Sequence, residues 1–274
     1  MVHSIRIGAL EYLTADCLAG TAHCFSTRLG GVSEGKFSSM NLGMNRGDET
    51  RNVLENYRIL GNAVGFSPDQ TVFTRQEHTD RVRAVTRRDR GAGLLRSVDE
   101  VRDAVMTDEA GTALVCFSAD CTLILLYDPV RRAIAAVHSG WRGTAMGIVQ
   151  KTVQAMQKQY GCRPESIRAA IGPCIGPCCF EVGPEVPQAM REALGAAAEP
   201  AIRPADEKAF VDLKMLNRLW LERAGVTQIE ISADCTKCSP DRYWSHRITG
   251  NERGSLAGII MLPEEQEESG CTEK

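Results

Sequence analysis

Apolar residues recur along this chain in two rhythms, and each predicts a different kind of element. Val53, Leu54, Tyr57, Leu60 and Val64 stand at helical spacing behind Asp48-Glu49-Thr50, residues suited to opening a helix. Ala145, Ile148, Val149, Thr152, Met156 and Tyr160 form a second helical stripe, which Gly161 stops. Leu213, Leu216, Leu219 and Trp220 form a third, with Asp212 before it and Gly225 after it. Short β-rich runs lie at 71–74, 82–85, 114–117, 122–127, 133–138, 167–171, 229–231 and 256–261. Strands outnumber helices, and two strands are joined by only a few residues. The pattern predicts an α+β fold with mixed or antiparallel sheets rather than an alternating doubly wound one.

The chain has 274 residues and shows no internal repeat and no linker rich in Pro, Gly or Ser. One domain over 1–274 is expected, with an acidic, apolar-poor tail over 263–274 expected to be disordered. With 43% hydrophobic and 24% charged residues it can bury a sizeable core. A net charge of −3 argues against a protein that coats nucleic acid, so no nucleic-acid partner is expected. The longest nearly apolar run, 113–119, falls far short of the ~20 residues of a membrane helix, so no membrane partner is expected either. The N-terminus has no basic stretch leading into an apolar one, and a cytoplasmic location is expected. In a reducing compartment the eleven cysteines read as thiols, metal ligands or small apolar residues. Five histidines are too few for a four-copper oxidase, which needs roughly ten, but enough for a single metal site. The oligomeric state is left open.

Two of the β runs flank Asp128-Pro129, a turn signal. If residues 128–131 form the hairpin loop, Tyr127 faces Arg132 and Cys121 faces His138, with Cβ atoms about 4.5–5.5 Å apart on one face. Such a pair is compatible with an inert buried thiol, with a cysteine nucleophile and its base, or with two ligands of one metal ion. Asp120 could act as a base only if the strand has ended there, because successive strand residues point to opposite faces. After His138, Ser139-Gly140-Trp141-Arg142-Gly143-Thr144 reads as a glycine turn opening a helix, a place where backbone N–H groups can hold an anion. Cys235-Thr236-Lys237-Cys238 has the spacing of a metal knuckle, but no second pair lies ~15–20 residues away, so no second zinc is expected. Cys174, Cys178 and Cys179 in a Gly/Pro-rich loop read as partly buried thiols.

Seven segments taken in order carry a resemblance. They are Phe25-Ser26-Thr27-Arg28-Leu29-Gly30-Gly31-Val32-Ser33, Asn41-Leu42-Gly43, Gln76-Glu77-His78, Asp103-Ala104-Val105-Met106-Thr107, Ala119-Asp120-Cys121, the segment from His138 to Thr144, and Ile171-Gly172-Pro173-Cys174-Ile175-Gly176-Pro177-Cys178-Cys179-Phe180-Glu181-Val182-Gly183. Together they resemble the laccase-domain, or polyphenol-oxidase-like, family, over nearly the whole chain. The resemblance implies one domain of stacked sheets with outer helices, in α/β/β/α-like layers. It implies a zinc ion on two histidines and a cysteine, which match His78, Cys121 and His138 as catalytic and metal residues. Arg28 and Arg142 fall on matching motifs and are expected to contact the substrate. Ser245-His246-Arg247 also matches, whereas Ile248-Thr249-Gly250-Asn251-Glu252-Arg253 departs from the family ending, and no role is assigned to Arg247 or Arg253.

The implied activity is phosphorolysis of adenosine, inosine and S-methyl-5'-thioadenosine, with inorganic phosphate as co-substrate and adenosine deamination beside it. Alternatives attached to relatives are a copper-dependent phenol oxidase, with copper in place of zinc, and a hydrolase that edits peptidoglycan precursors. A metal-stabilised binding module is the non-enzymatic alternative.

Overall fold

The computed structural model describes residues 1–44 and 46–264, so 265–274, most of the tail expected to be disordered, lies outside the described residues. In chain order the strands are β1 (Val2–Ile7), β2 (Leu10–Ala15), β3 (Ala22–Ser26), β4 (Thr71–Phe73), β5 (Val82–Ala84), β6 (Ala104–Thr107), β7 (Ala113–Ser118), β8 (Thr122–Asp128), β9 (Ala133–Ser139), β10 (Arg168–Ile171), β11 (Glu181–Val182), β12 (Ile202–Ala205), β13 (Lys208–Val211), β14 (Gln228–Ile231) and β15 (Leu256–Met261). The α-helices are α1 (Thr50–Val64), α2 (Trp141–Ala145), α3 (Ile148–Tyr160), α4 (Glu185–Leu194), α5 (Leu213–Arg223) and α6 (His246–Thr249).

Two six-stranded sheets, ordered β1-β2-β3-β15-β7-β4 and β14-β10-β8-β9-β6-β5, pack face to face, and a small sheet runs β11-β13-β12. Between the large sheets lie Phe25, Leu114 and Cys116 from one and Leu123, Leu125, Ile134 and Ala136 from the other. The outer face of the first sheet packs on Val53, Tyr57 and Leu60 of α1. The outer face of the second packs on α3, α4 and α5 through Ile124, Leu126, Val137, Val153, Met190 and Leu216. The layers are therefore α/β/β/α, the α+β fold expected. Strands β8 and β9 are buried at every position, because both faces of the central sheet are covered; this is why they read as unbroken apolar runs.

Each of the eight β runs becomes a strand. The second helical stripe does not stay whole. Gly147, with φ +68°, breaks it into the five-residue α2 and the longer α3. The sequence reading missed α4, although Val186, Met190 and Leu194 follow Pro184 at helical spacing. It also missed β1, β2, β3, β6 and the small sheet. The hairpin register differs from the expected one. Asp128 is the last paired residue and faces Ala133, the loop is 129–132, and His138 faces Leu123. The reason is chemical: Asp128 Oδ1 accepts the Val130 and Arg131 N–H groups at 2.8 and 3.1 Å and closes the turn from the strand side. The shift is even, so the face is preserved and Cys121 stays on the side of His138.

Candidate metal centre

His138 sits near the end of β9, where β6 and β9 pair Ala104 with Val137. One step further along the same ladder, His138 N–H donates to the Asp103 carbonyl at 2.8 Å. That register lays the Asp103 carboxylate against the ring, and Nδ1 meets Asp103 Oδ1 at 2.8 Å. With Nδ1–H donated to Asp103, Nε2 is the nitrogen that can ligate once it gives up its proton. Asp103 also accepts the backbone N–H groups of Glu77, His78 and Thr79 at 3.2, 3.1 and 2.8 Å, and the Thr79 hydroxyl at 2.7 Å. One buried carboxylate thus holds the loop that carries His78, whose φ is +60°. Cys121 follows the tight turn between β7 and β8, where Asp120 has φ +89° and the Ser118 hydroxyl donates to the Cys121 carbonyl at 2.6 Å.

These three elements bring His78, Cys121 and His138 together, with one ligand atom of each within 4.8 Å of the others. His78 Nε2 is 3.8 Å from Cys121 Sγ, and the two imidazoles stand edge to face with centroids 5.0 Å apart. Gly140 completes the cradle: a Cβ there would lie 2.8 Å from His78 Cδ2 and 3.1 Å from Cys121 Sγ. Two imidazoles and a thiolate are a borderline-soft donor set of the kind zinc accepts, with one position left for water or substrate. The residues therefore fit a metal ion. Burial opposes a charge on His138, yet Cys121 and Asp103 together raise it to about 9. Burial likewise opposes ionisation of Asp103, but hydrogen bonds from His138 and Thr79 hold it at about 2. Burial, then His138 and Arg142, lower His78.

Beside the cluster opens a cavity of about 360 Å³, whose wall includes His78, Cys121, His138, Gln76, Phe117, Asp120, Phe180, Arg46, Arg247 and Arg253. Arg253 is only 7% exposed, and its Nε has no hydrogen-bond partner. Burial and then Arg46 pull it down to about 10, against Asp120 and Cys121, so it stays charged at neutral pH. Asp120 is not free to act as a base. Its carboxylate accepts the Thr236 hydroxyl at 2.6 Å, the Ser245 hydroxyl at 3.1 Å and the Arg247 N–H at 2.7 Å. It ties the C-terminal wall to the β7–β8 turn.

Neither expected arginine lines this cavity. Arg28 donates to the Ser38 and Pro240 carbonyls and stacks 3.7 Å above Trp244. Arg142 stacks on Trp141 and lines a separate cleft that shares His78 with the cavity. The glycine turn opens a helix of only five residues, and its Ser139 and Thr144 hydroxyls bond to each other and to Asn217. Gly140 instead leaves room for His78 and Cys121. Sequence reasoning gave no role to Asp103, Arg46 or Arg253. Asp103 heads a segment of the family motif, but only the ladder shows what it holds. The Cys235–Cys238 knuckle is not isolated either: Cys178 and Cys179 lie against it.

Fold and site together define an α/β/β/α protein with a His₂Cys cluster that could hold a metal ion in the wall of a cavity lined by three arginines. The chain belongs to the multi-copper polyphenol oxidoreductase laccase family, whose model matches residues 22–263. It is 33% identical to purine nucleoside phosphorylase YlmD of Bacillus subtilis over 244 residues, 88% of each chain. It is 34% identical to purine nucleoside phosphorylase YfiH of Escherichia coli over 248 residues, 89% of this chain and 94% of that one. The crystal structure of YlmD from Geobacillus stearothermophilus superposes with a TM-score of 0.90 at 33% identity, covering 96% of this chain and 100% of that one. Among the described residues a single His-containing cluster could hold a metal, which does not supply the ligands of a multi-copper centre.

Proposed function

We propose that this protein is a zinc-dependent purine nucleoside phosphorylase that also deaminates adenosine, with His78, Cys121 and His138 holding the metal. The observation that carries the reading is Arg253, a buried cation with an unpartnered Nε, placed with Arg46 and Arg247 in the cavity beside the cluster. Its Nη1 donates to the Gly254 carbonyl at 2.9 Å, but Nε has no acceptor, and a buried cation with an unmet donor is unfavourable until an anion arrives. Inorganic phosphate supplies that anion, and the relatives named as purine nucleoside phosphorylases support the choice.

In phosphorolysis the C1'–N bond of the nucleoside breaks, a phosphate oxygen bonds to C1', and the departing base takes up a proton. The products are free purine and ribose 1-phosphate, or its methylthio form from S-methyl-5'-thioadenosine. Arg253, Arg46 and Arg247 hold the phosphate and offset its charge while the bond to the base breaks. Phe117 and Phe180 offer aromatic walls for a purine. Gln76 keeps Phe117 in place by bonding both its N–H, at 2.6 Å, and its carbonyl, at 2.7 Å. Asp103 orients the His138 ring and holds the backbone of the loop that carries His78. When bound, zinc supplies a Lewis acid that lowers the pKa of water to about 7, the chemistry that deamination at C6 requires.

The test is chromatography of adenosine incubated with metal-replete protein, with and without phosphate. Adenine and ribose 1-phosphate are expected only with phosphate; inosine is expected without phosphate, and with phosphate it goes on to hypoxanthine. Adenosine, inosine and S-methyl-5'-thioadenosine all left intact in phosphate near pH 7 would overturn the reading.

A further inference from the structure

We infer that Cys178, Cys179, Cys235 and Cys238 form a second metal site, a tetrathiolate zinc centre that clamps two walls of the cavity. The four sulfur atoms lie within 4.8 Å of one another. Cys238 Sγ is 3.6 Å from Cys178 Sγ and 3.4 Å from Cys179 Sγ. Four sulfurs at ~2.3 Å from one tetrahedral zinc stand about 3.8 Å apart, so the thiols are already near ligand spacing. Disulfide sulfurs would stand at about 2.05 Å, and all four residues are free thiols.

The backbone presents the thiols as a metal site does. Cys179 and Phe180 N–H groups both donate to the Gly176 carbonyl at 2.9 Å, a tight turn that sends two adjacent cysteines toward one point. Gly176 N–H donates to Cys235 Sγ at 3.1 Å, a contact that stabilises a thiolate. The Thr236 N–H donates to the Cys174 carbonyl at 3.1 Å, zipping the two loops together next to the cluster. The paired cysteines are 59 and 60 residues apart in the chain, which is why a search for a nearby second knuckle misses them. Sulfur-only coordination favours zinc among common divalent ions, and exposed Cys178 and Cys238 leave a way in.

The site does not reach the cavity, so its role is positional. One loop carries Ile175 and Phe180 into the cavity wall. The other carries Thr236, which donates to Asp120, and leads on to Arg247. A metal joining the loops fixes the distance between Phe180 and the Asp120–Arg247 wall. The inference stands apart from the proposed reaction and survives its failure.

The experiment counts zinc in the full chain, purified with reductant and then supplied with zinc. Two zinc ions per chain are expected for the wild type, one for Cys238→Ser and one for Cys121→Ser. Cobalt titration of the wild type adds a readout that needs no variant. Four thiolates give far stronger thiolate-to-cobalt charge-transfer absorption than the single thiolate of the His₂Cys cluster. A wild type that shows only single-thiolate absorption overturns the inference. So does a Cys238→Ser chain that still binds two zinc ions, or a Cys178–Cys238 or Cys179–Cys238 disulfide in the reduced, zinc-supplied protein.

Discussion

Gly140→Ala isolates the metal cradle from the rest of the fold. Gly140 has φ −67° and ψ 174°, ordinary extended backbone, so alanine meets no conformational barrier there. Alanine is a poorer residue than glycine at the start of a helix, which costs at most about 1 kcal/mol. The new methyl, however, would stand 2.8 Å from His78 Cδ2 and 3.1 Å from Cys121 Sγ. Carbon atoms rest at about 3.5–4.0 Å, so the imidazole must retreat by roughly 0.7 Å or more. Metal–ligand distances tolerate about 0.2 Å. His78 is exposed and can swing aside without disturbing the core, so the fold survives while the centre loses a ligand. Disturbing a partner outside the coordination sphere already weakens metal binding about 10–100-fold. Loss of a ligand position should reach the upper end, about 100-fold or 2.8 kcal/mol. Competition with a chromophoric zinc chelator measures this, with Cys121→Ser as the reference that abolishes the same centre. The metal-free melting temperature should stay within a few degrees of wild type, while the stabilisation brought by filling this centre shrinks by up to about 2.8 kcal/mol at the same free zinc. Zinc affinity at this centre within a factor of about three of wild type would refute the reasoning, because an intact centre cannot coexist with the displaced ring.

Asp103→Asn should lower stability at pH 7 and flatten the acid limb of the stability profile. Asp103 is held at about 2 against an ordinary 3.8, so its stabilisation is present above 3.8 and disappears as pH falls toward 2. That is on the order of 2 kcal/mol, readable by denaturant melts across this range. In metal-free protein His138 is raised to about 9, so its stabilisation is full below 6.5 and is lost as pH rises through 9. Zinc must displace that proton, so affinity at this centre should rise with pH between 6.5 and 9. Calorimetry in buffers of different ionisation enthalpy should find more protons released at pH 7 than above pH 9. Arg253→Met should raise the KM for phosphate about 10–100-fold, the value of one charge-assisted hydrogen bond, with zinc content unchanged. Arg142→Ala, in the separate cleft, should leave that KM near wild type, while Arg28→Met should lower the melting temperature.

Local pattern carried much of this molecule. Apolar periodicity placed α1, α3, α5 and eight strands, because a covered sheet face or helix stripe imprints its spacing on the chain. It could not show where Asp128 ends its strand, since that depends on which side of the turn the carboxylate bonds. Leu123 faces His138 and Cys121 stands two residues before it, just outside β8, so the pair survived an error of two in the register. His78 entered through family resemblance, since nothing in a loop between two strands says where its imidazole points.

What only the tertiary structure decided are the partners that come from far along the chain. Asp103 reaches His138 across the β6–β9 ladder, Arg253 reaches Arg46 and the cavity from the far end of the sequence, and Cys178 and Cys179 meet Cys235 and Cys238 through two converging loops. Side-chain periodicity records which face of an element is buried, because burial acts on each residue separately. It holds no record of which distant element covers that face. That choice is made by sheet order and packing, where the free energy belongs to the pair and not to either residue.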